Sequence, residues 1–453
     1  MPSTETKQVD LLALHRLNPE RYPFLLQSAV VAEPRPATAR YDILFAFPDD
    51  SYALWTDNRI TRNGEPYSEG EFLQLLDKLW QEHQIDLPDA NELPFTGGWF
   101  VYLGYELAAQ IEPRLDLPKD DEQPVAVLTR IPAAVIFDHH SGDTSLVVEP
   151  NQTTLRAQME EDIAHVIGAA PQHSTKLDIH LAADEPKQYL QGVERVKNYI
   201  VEGDVFQVNL SRGWQGDARP TPSGADIYQQ LCQTNPAPFA ALAQLPGLNV
   251  ISSSPERLVK ISGGRIETRP IAGTRPRGQE HVGDAANLQE LIGHPKERAE
   301  HIMLIDLERN DLGRVCEPGS VEVDELMGLE TYAHVHHIVS NVTGRLRDGV
   351  TPGEAIRAVF PGGTITGCPK ERCMAIIAEL EQVPRGAYTG SLGYLNHNGD
   401  LDLNILIRTI TRQGEHLALR AGAGLVFDSI GENELQETEH KARGMLLALG
   451  SVS

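Results

Sequence analysis

Cysteine is scarce. Cys232, Cys316, Cys368 and Cys373 are the only four, too few for a disulfide framework, and no CxxC pair suggests zinc. Reduced cytosolic thiols are the simplest expectation. Long apolar runs are missing as well. None approaches the roughly 18–20 residues of a membrane span, and the opening MPSTETKQVD has neither the basic nor the apolar region of a signal peptide. A cytoplasmic protein without a membrane partner is expected. Positive charge is the third deficit: 39 Lys and Arg against 64 Asp and Glu leave a formal charge of −25. With no basic run, a phosphate-neutralising face is excluded, and with it a nucleic-acid partner. An anionic substrate would need a local basic pocket or a bound cation. The sequence also lacks a P-loop, a GxGxxG fingerprint, internal repeats and low-complexity tracts.

What is present is chain enough for two to three domains, or one large composite domain. The first ~165 residues mix short strand-like runs with turns, as in Tyr41–Phe47 and Gly98–Leu103. Gly168 to Pro186 reads as a loop and a soft boundary, dividing the chain into regions 1–165 and 187–453. Beyond it, Tyr189, Val193, Val196 and Ile200 recur at helical spacing. Phe206–Leu210 alternates like a half-buried strand. Further helices are predicted at Pro295–Leu307, Pro369–Glu381 and Glu432–Leu449. Strands are predicted at Asn249–Ser252, Arg265–Arg269, Ser391–Asn396, Leu401–Thr411 and His416–Ala421. Strand pairs separated by helices predict an α+β fold, with antiparallel sheets packed under outer helices.

Several residues carry chemistry. Glu434, Glu437 and Lys441 share one helix face at i, i+3 and i+7, as do Glu297 and Glu300. Either could be a solvated charged face; two carboxylate pairs on two helices could also enclose a hard cation such as Mg²⁺. Arg408 falls inside the apolar run Leu403–Ile410. A buried guanidinium there needs an anionic partner, either a structural carboxylate or the carboxylate of a substrate. Ala421–Gly424 and Pro270–Thr274 are small-residue loops that let backbone amides approach an anion, although such glycines also mark ordinary turns. Glu256, in SSSPERL, could protonate a leaving hydroxyl if burial raises its pKa. His337 is one of three histidines in Tyr332–Ser340, equally readable as structural.

Together the segments SSSPERL, TRPIAGT, KERAEHIMLIDLERNDLGRV, HHIVSNVTG, FPGGTITGCPK, IRT, AGAG and ELQETEHKAR resemble the chorismate-utilising enzyme family, strongly from about Lys187 to Leu449. The resemblance implies a four-layer α/β/β/α fold with two packed antiparallel sheets and outer helices. It implies Mg²⁺ bound by Glu300 and Glu437, with Glu297 and Glu434 as near neighbours. It implies carboxylate binding by Tyr388, Arg408, Lys441 and the backbone of Gly422, Ala423 and Gly424, and a ring site lined by Gly273 and Thr274. Glu256 is implied as the acid for the departing 4-hydroxyl, and His337 as the histidine of the amine-adding members.

Hydrating members of the family place a Lys base where this chain has Gln207. Glutamine cannot deprotonate water, and ammonia needs no such base, so amination is expected. FPGGTITG, DLNI and ARYDI resemble the members that aminate C4, giving 4-amino-4-deoxychorismate for p-aminobenzoate and folate synthesis. Ala272, in PIAGT, departs from their PIKGT and matches the members that aminate C2 and release anthranilate and pyruvate. A non-catalytic chorismate-binding subunit is a second alternative. No Gly-x-Cys-x-Gly elbow is present, so the resemblance implies ammonia from a separate glutamine amidotransferase subunit. Phe24–Ser28 and Asn235–Phe239 resemble tryptophan-binding elements. They implicate Ser28, Pro238 and Phe239, around a tryptophan expected to be structural rather than inhibitory.

Overall fold

The computed structural model describes residues 9–30, 35–85, 93–150, 152–168, 176–276, 295–331 and 335–451. Among the described residues two large antiparallel sheets and ten helices make up an α+β architecture. In the first sheet, Gln207–Asp217, His416–Leu425, Thr409–Gln413, Leu248–Ser254, Phe239–Leu245, Phe24–Gln27, Tyr41–Ala46 and Ala133–Asp138 follow one another. In the second, the order runs Ile271–Pro276, Val335–Arg345, Arg265–Arg269, Arg257–Ser262, Leu401–Asn404, Ser391–Asn396, Gly98–Leu103, Ala126–Ile131 and Ser51–Leu54. Each sheet draws on both regions of the sequence: Phe24–Gln27 pairs with Phe239–Leu245, and Gly98–Leu103 with Ser391–Asn396. No helix among the described residues is long and apolar enough to cross a membrane.

The layering follows from side-chain alternation. In Gly98–Leu103, Trp99, Val101 and Leu103 face a core beneath the outer helices, while Phe100 and Tyr102 face the other sheet. In Tyr41–Ala46, Leu44 and Ala46 face outer helices, and Ile43 and Phe45 face inward. Strands buried on both faces are apolar at every position. The inward residues form an aromatic filling: Phe24 stacks on Phe100 with centroids 3.9 Å apart, and Phe45 meets Phe95 edge-on at 4.9 Å. The Gly431–Ala448 and Gly224–Thr234 helices cover the first sheet, and Pro186–Val201 and Lys370–Glu381 flank Gln207–Asp217. Pro295–Gly313 and Pro352–Val359 cover the second sheet. Phe72–Glu82 packs on Pro352–Val359 through Phe72, Leu73, Leu75, Leu76 and Leu79, the i, i+3, i+4, i+7 stripe of an amphipathic helix.

The predicted strand Leu401–Thr411 is two strands. Leu401–Asn404 belongs to the second sheet and Thr409–Gln413 to the first. Residues 405–408 carry the chain between sheets, and Arg408 adopts a left-handed backbone, φ 52°. An apolar run cannot distinguish one buried strand from two joined by a crossing. A second crossing lies at Pro255 and Glu256, between Leu248–Ser254 and Arg257–Ser262. Ala421–Gly424 and Pro270–Thr274, read as loops, fall largely within the strands His416–Leu425 and Ile271–Pro276. The helix predicted at Pro295–Leu307 continues to Gly313.

Candidate active site

The two crossings are bonded to each other. Ile405 N–H donates to Glu256 O at 3.0 Å, Ser253 N–H to Arg408 O at 3.1 Å, and Ser254 Oγ to Ile405 O at 2.5 Å. Leu406 and the Ala387–Gly390 turn exchange two more backbone bonds, Leu406 N–H to Gly390 O and Thr389 N–H to Leu406 O. Where backbone leaves a sheet its polar groups need new partners. Here the crossings supply them to one another, which fixes Glu256, Arg408 and Tyr388 around a common space.

That space is a cavity of about 160 Å³ lined by Glu256, His337, Tyr388, Arg408, Gly422 and Lys441, six residues singled out in the sequence. Burial pushes the Glu256 carboxyl up to about 7, against the opposing influence of the Thr364 hydroxyl, the Ile271 amide, Lys441 and Arg408. Its Oε1 makes no hydrogen bond with the described residues. Such a group can hold a proton near neutrality and hand it to a substrate oxygen. Burial lowers His337 to about 3, helped by the Arg408 charge, so its imidazole is neutral at physiological pH. Burial raises the Tyr388 phenol to about 12.

Gly422 has a steric reason to be glycine. A Cβ on Gly422 would lie 2.7 Å from Leu210 O and 2.8 Å from both Asn209 Oδ1 and Tyr388 Oη. A Cβ on Gly424 would lie 2.3 Å from Gln207 Nε2. At Gly422 the approach of the Leu210 backbone, rather than turn geometry, excludes a side chain, whereas at Gly424 only the end of the Gln207 side chain would have to move.

Lys441 Nζ donates to Gly422 O at 3.1 Å and pairs with Glu437 at 3.3 Å. Glu437 is exposed and Glu434 half-buried on the same helix. Glu300, on Pro295–Gly313, is half-buried. The side chains of Glu297, Ala272 and Thr274 lie outside the described residues, and Gly273 sits in a strand at φ 73°. Among the described residues no three His, Cys, Asp or Glu side chains converge as a metal cage. Glu300, Glu434 and Glu437 are carboxylates of the type Mg²⁺ takes, a few at a time with substrate and water completing the shell, and none of the three is among the residues lining the cavity. Lys441, on the face carrying Glu434 and Glu437, reaches the cavity.

Pro238 and Phe239 line a separate cavity of about 540 Å³ with Gln27 and Arg40. Ser28 is buried, and its backbone N–H donates to Asp42 Oδ1 at 2.8 Å.

Sequence reasoning missed Asn209, Thr364 and Arg420, which also line the 160 Å³ cavity. It also missed Glu308 and Asp311. Both are buried, Asp311 pairs with Lys370 at 2.6 Å, and Glu308 is raised by burial and by the Asp311 charge. Glu308 and Asp311 stand at i, i+3, the spacing that drew attention to Glu297 and Glu300. Burial, which separates an internal pair from a solvated one, has no local signature.

With two packed antiparallel sheets and a cationic cavity holding a protonatable carboxyl, the class is that of enzymes acting on a small carboxylate-bearing substrate. The sequence profile of the chorismate binding enzyme family matches residues 27–447, and the chain belongs to that family. It is similar to aminodeoxychorismate synthase component 1 of Bacillus subtilis, 41% identical over 87% of this chain and 84% of that protein. It is 42% identical to an anthranilate synthase component I-like protein of Synechocystis, over 94% and 86% of the two. The solved structure of anthranilate synthase component I from Streptococcus pneumoniae aligns with a TM-score of 0.79 at 32% identity, over 92% of this chain and 94% of that one. The menaquinone-specific isochorismate synthase MenF of Escherichia coli shares the fold, at a TM-score of 0.72 and 18% identity over 99% and 93%. The chain is a chorismate-utilising enzyme.

Proposed function

We propose that the chain aminates chorismate with ammonia at C4, giving 4-amino-4-deoxychorismate. The observation that carries the reading is the pairing, in one cavity, of a buried carboxyl near pKa 7 with the cations of Arg408 and Lys441. Arg408, Lys441 and Tyr388 would hold the two carboxylates of the substrate, with Gly422, Ala423 and Gly424 contributing backbone amides. Gly273 and Thr274 would line the ring. As ammonia forms the C–N bond, Glu256 gives its proton to the 4-hydroxyl, which leaves as water; the added nitrogen then loses a proton and the carboxyl is restored. Neutral His337 stays beside the ring as a hydrogen-bonding group that adds no charge.

Mg²⁺, when bound, would neutralise a substrate carboxylate, held by Glu300 and Glu437 with Glu297 and Glu434 close by. Glu437→Ala is expected to abolish Mg²⁺-dependent turnover while changing stability by no more than about 0.5 kcal/mol, since the side chain is exposed. Full activity in that variant would remove Glu437 from the metal site. Ammonia would come from a separate glutamine amidotransferase subunit, as the naming of both relatives as a first component suggests.

One residue favours the second reading, C2 amination to anthranilate. Ala272 cannot act as the nucleophile that a Lys would supply at this position, so C4 amination requires ammonia to be aimed at C4 directly. A single product assay decides. With chorismate, Mg²⁺ and an ammonium salt, p-aminobenzoate is expected only after a lyase is added, and glutamine in place of ammonium gives nothing. Direct appearance of fluorescent anthranilate with pyruvate would establish the second reading. Chorismate binding without turnover would indicate a non-catalytic subunit.

A further inference from the structure

A third cavity, of about 410 Å³, backs on to the substrate cavity, and the two share Tyr388 and Arg420 in their walls. Its floor is the inner face of the first sheet. Thr409, Thr411 and Gln413 line it from one strand and Ala418 and Arg420 from the next, while the alternate residues Ile410 and Leu417 face the outer helices. On the Arg420 side the shared wall is tied by hydrogen bonds. Arg420 donates to Ser211 Oγ from Nε and Nη2, at 3.1 and 3.0 Å, and to Glu381 Oε2 at 3.1 Å. Glu381 is also held by Arg385 at 2.7 Å. One carboxylate thus serves two guanidiniums at the inner end of this cavity.

Its other charged lining residues are of opposite sign. Asp120, Glu122 and Asp184 line it; Glu122 is exposed and Asp120 and Asp184 are half-buried. Asp184 is fixed by the Gly213 N–H at 2.6 Å. A dianion approaching this way meets three carboxylates, whereas a small cation is drawn in. The substrate has another approach, because Lys441 lines the substrate cavity with its side chain 42% exposed.

We propose that the acidic vestibule is the route by which ammonia reaches the aminating site, apart from the route of the dianionic substrate. The inference rests on the amination reading. Ammonium collects among Asp120, Glu122 and Asp184 and gives a proton to vestibule water. Neutral ammonia then passes between Arg420 and Tyr388, whose wall the cation is discouraged from crossing by the guanidinium.

The test uses the whole chain with chorismate and Mg²⁺, titrating ammonium chloride at constant ionic strength. Ala418→Trp fills the vestibule from a position outside the substrate cavity. It should raise the KM for ammonium about tenfold or more and leave the KM for chorismate within about twofold. Asp120→Asn with Glu122→Lys, at positions away from the sheets, should raise the ammonium KM about threefold at low ionic strength and not at high. If Ala418→Trp does not fold, this second variant decides alone. An unchanged ammonium KM, or an equal rise in both KM values, overturns the route while leaving amination intact. No ammonium-dependent product from the unaltered chain removes the amination reading, and the route with it.

Discussion

The space between the two sheets is filled in two different ways. At one end Phe24, Phe45, Phe95, Phe100 and Tyr102 interlock in a dry aromatic core. At the other, the chain crosses from sheet to sheet at Pro255–Glu256 and at 405–408, and the gap holds a carboxyl, an imidazole, a phenol and guanidinium groups. The same pair of sheets therefore stabilises itself at one end and surrenders stability at the other. Burying apolar rings is favourable by roughly 1.5–3 kcal/mol for each large side chain, whereas burying an ionisable carboxyl is unfavourable once it must ionise.

The largest way to break this contrast is Glu256→Gln. Loss of the proposed acid should lower turnover by about 10²–10⁴-fold. Stability should move the other way. The folded pKa of about 7 lies above the ordinary carboxyl value of 4.5, so the protonated group is favoured in the fold. Its contribution is intact below about pH 4.5 and is lost as pH rises through 7. Glutamine, which never ionises, should therefore make the protein more stable at pH 8, by roughly 3 kcal/mol, with little difference at pH 4.5. Urea midpoints at the two pH values check this. Equal stability of the two proteins at pH 8 would mean that Glu256 is not held protonated by its surroundings.

Phe45→Ala is the matching change at the dry end. The ring is fully buried and meets Phe95, Phe100 and Tyr394. Its removal should cost about 3–5 kcal/mol, read as a lower urea midpoint, while kcat and KM of the folded protein stay unchanged. A large kinetic defect in folded protein would show that the two ends are mechanically coupled.

These two ends were not equally legible in the sequence. The dry end was: strands such as Ser391–Asn396 and Gly98–Leu103 fall where the sequence puts them. The six cavity residues were found mainly through resemblance to a family. Their local signals, one Glu after a strand or one His among three, have ordinary readings of equal weight. The crossing at 405–408 was invisible because Leu403–Ile410 stays apolar as it changes sheets. Which sheet a buried strand joins is decided by partners far away in sequence, here Arg257–Ser262 on one side and Leu248–Ser254 on the other. Arg420 escaped notice because its value depends on Glu381 and Ser211, some 39 and 209 residues distant.

Gly422→Ala probes the seam between sheet and site. The new methyl meets Leu210 O, which cannot yield without moving the strand, and the polar atoms of Asn209 and Tyr388. A loss of about 1–3 kcal/mol follows from overpacking of this kind. Because Tyr388 must shift, the KM for chorismate should rise as well. A stability loss with an unchanged KM would place the substrate away from Tyr388.

The smallest effect is expected at Ser28, just after the strand Phe24–Gln27. Its hydroxyl is buried and makes no hydrogen bond with the described residues. The contact that matters is its backbone N–H to Asp42, a carboxylate also held by Gln27 at 3.1 Å, with His139 Nε2 2.9 Å away. Ser28→Ala keeps all of these and removes only an unsatisfied polar atom, so stability should be unchanged or higher by up to about 1 kcal/mol. Chorismate kinetics should not move. A bound tryptophan that uses this hydroxyl would bind less tightly to the variant in calorimetry. One that rests only on Pro238 and Phe239, which line the 540 Å³ cavity, would bind as before, and that outcome would remove Ser28 from the proposed tryptophan contacts.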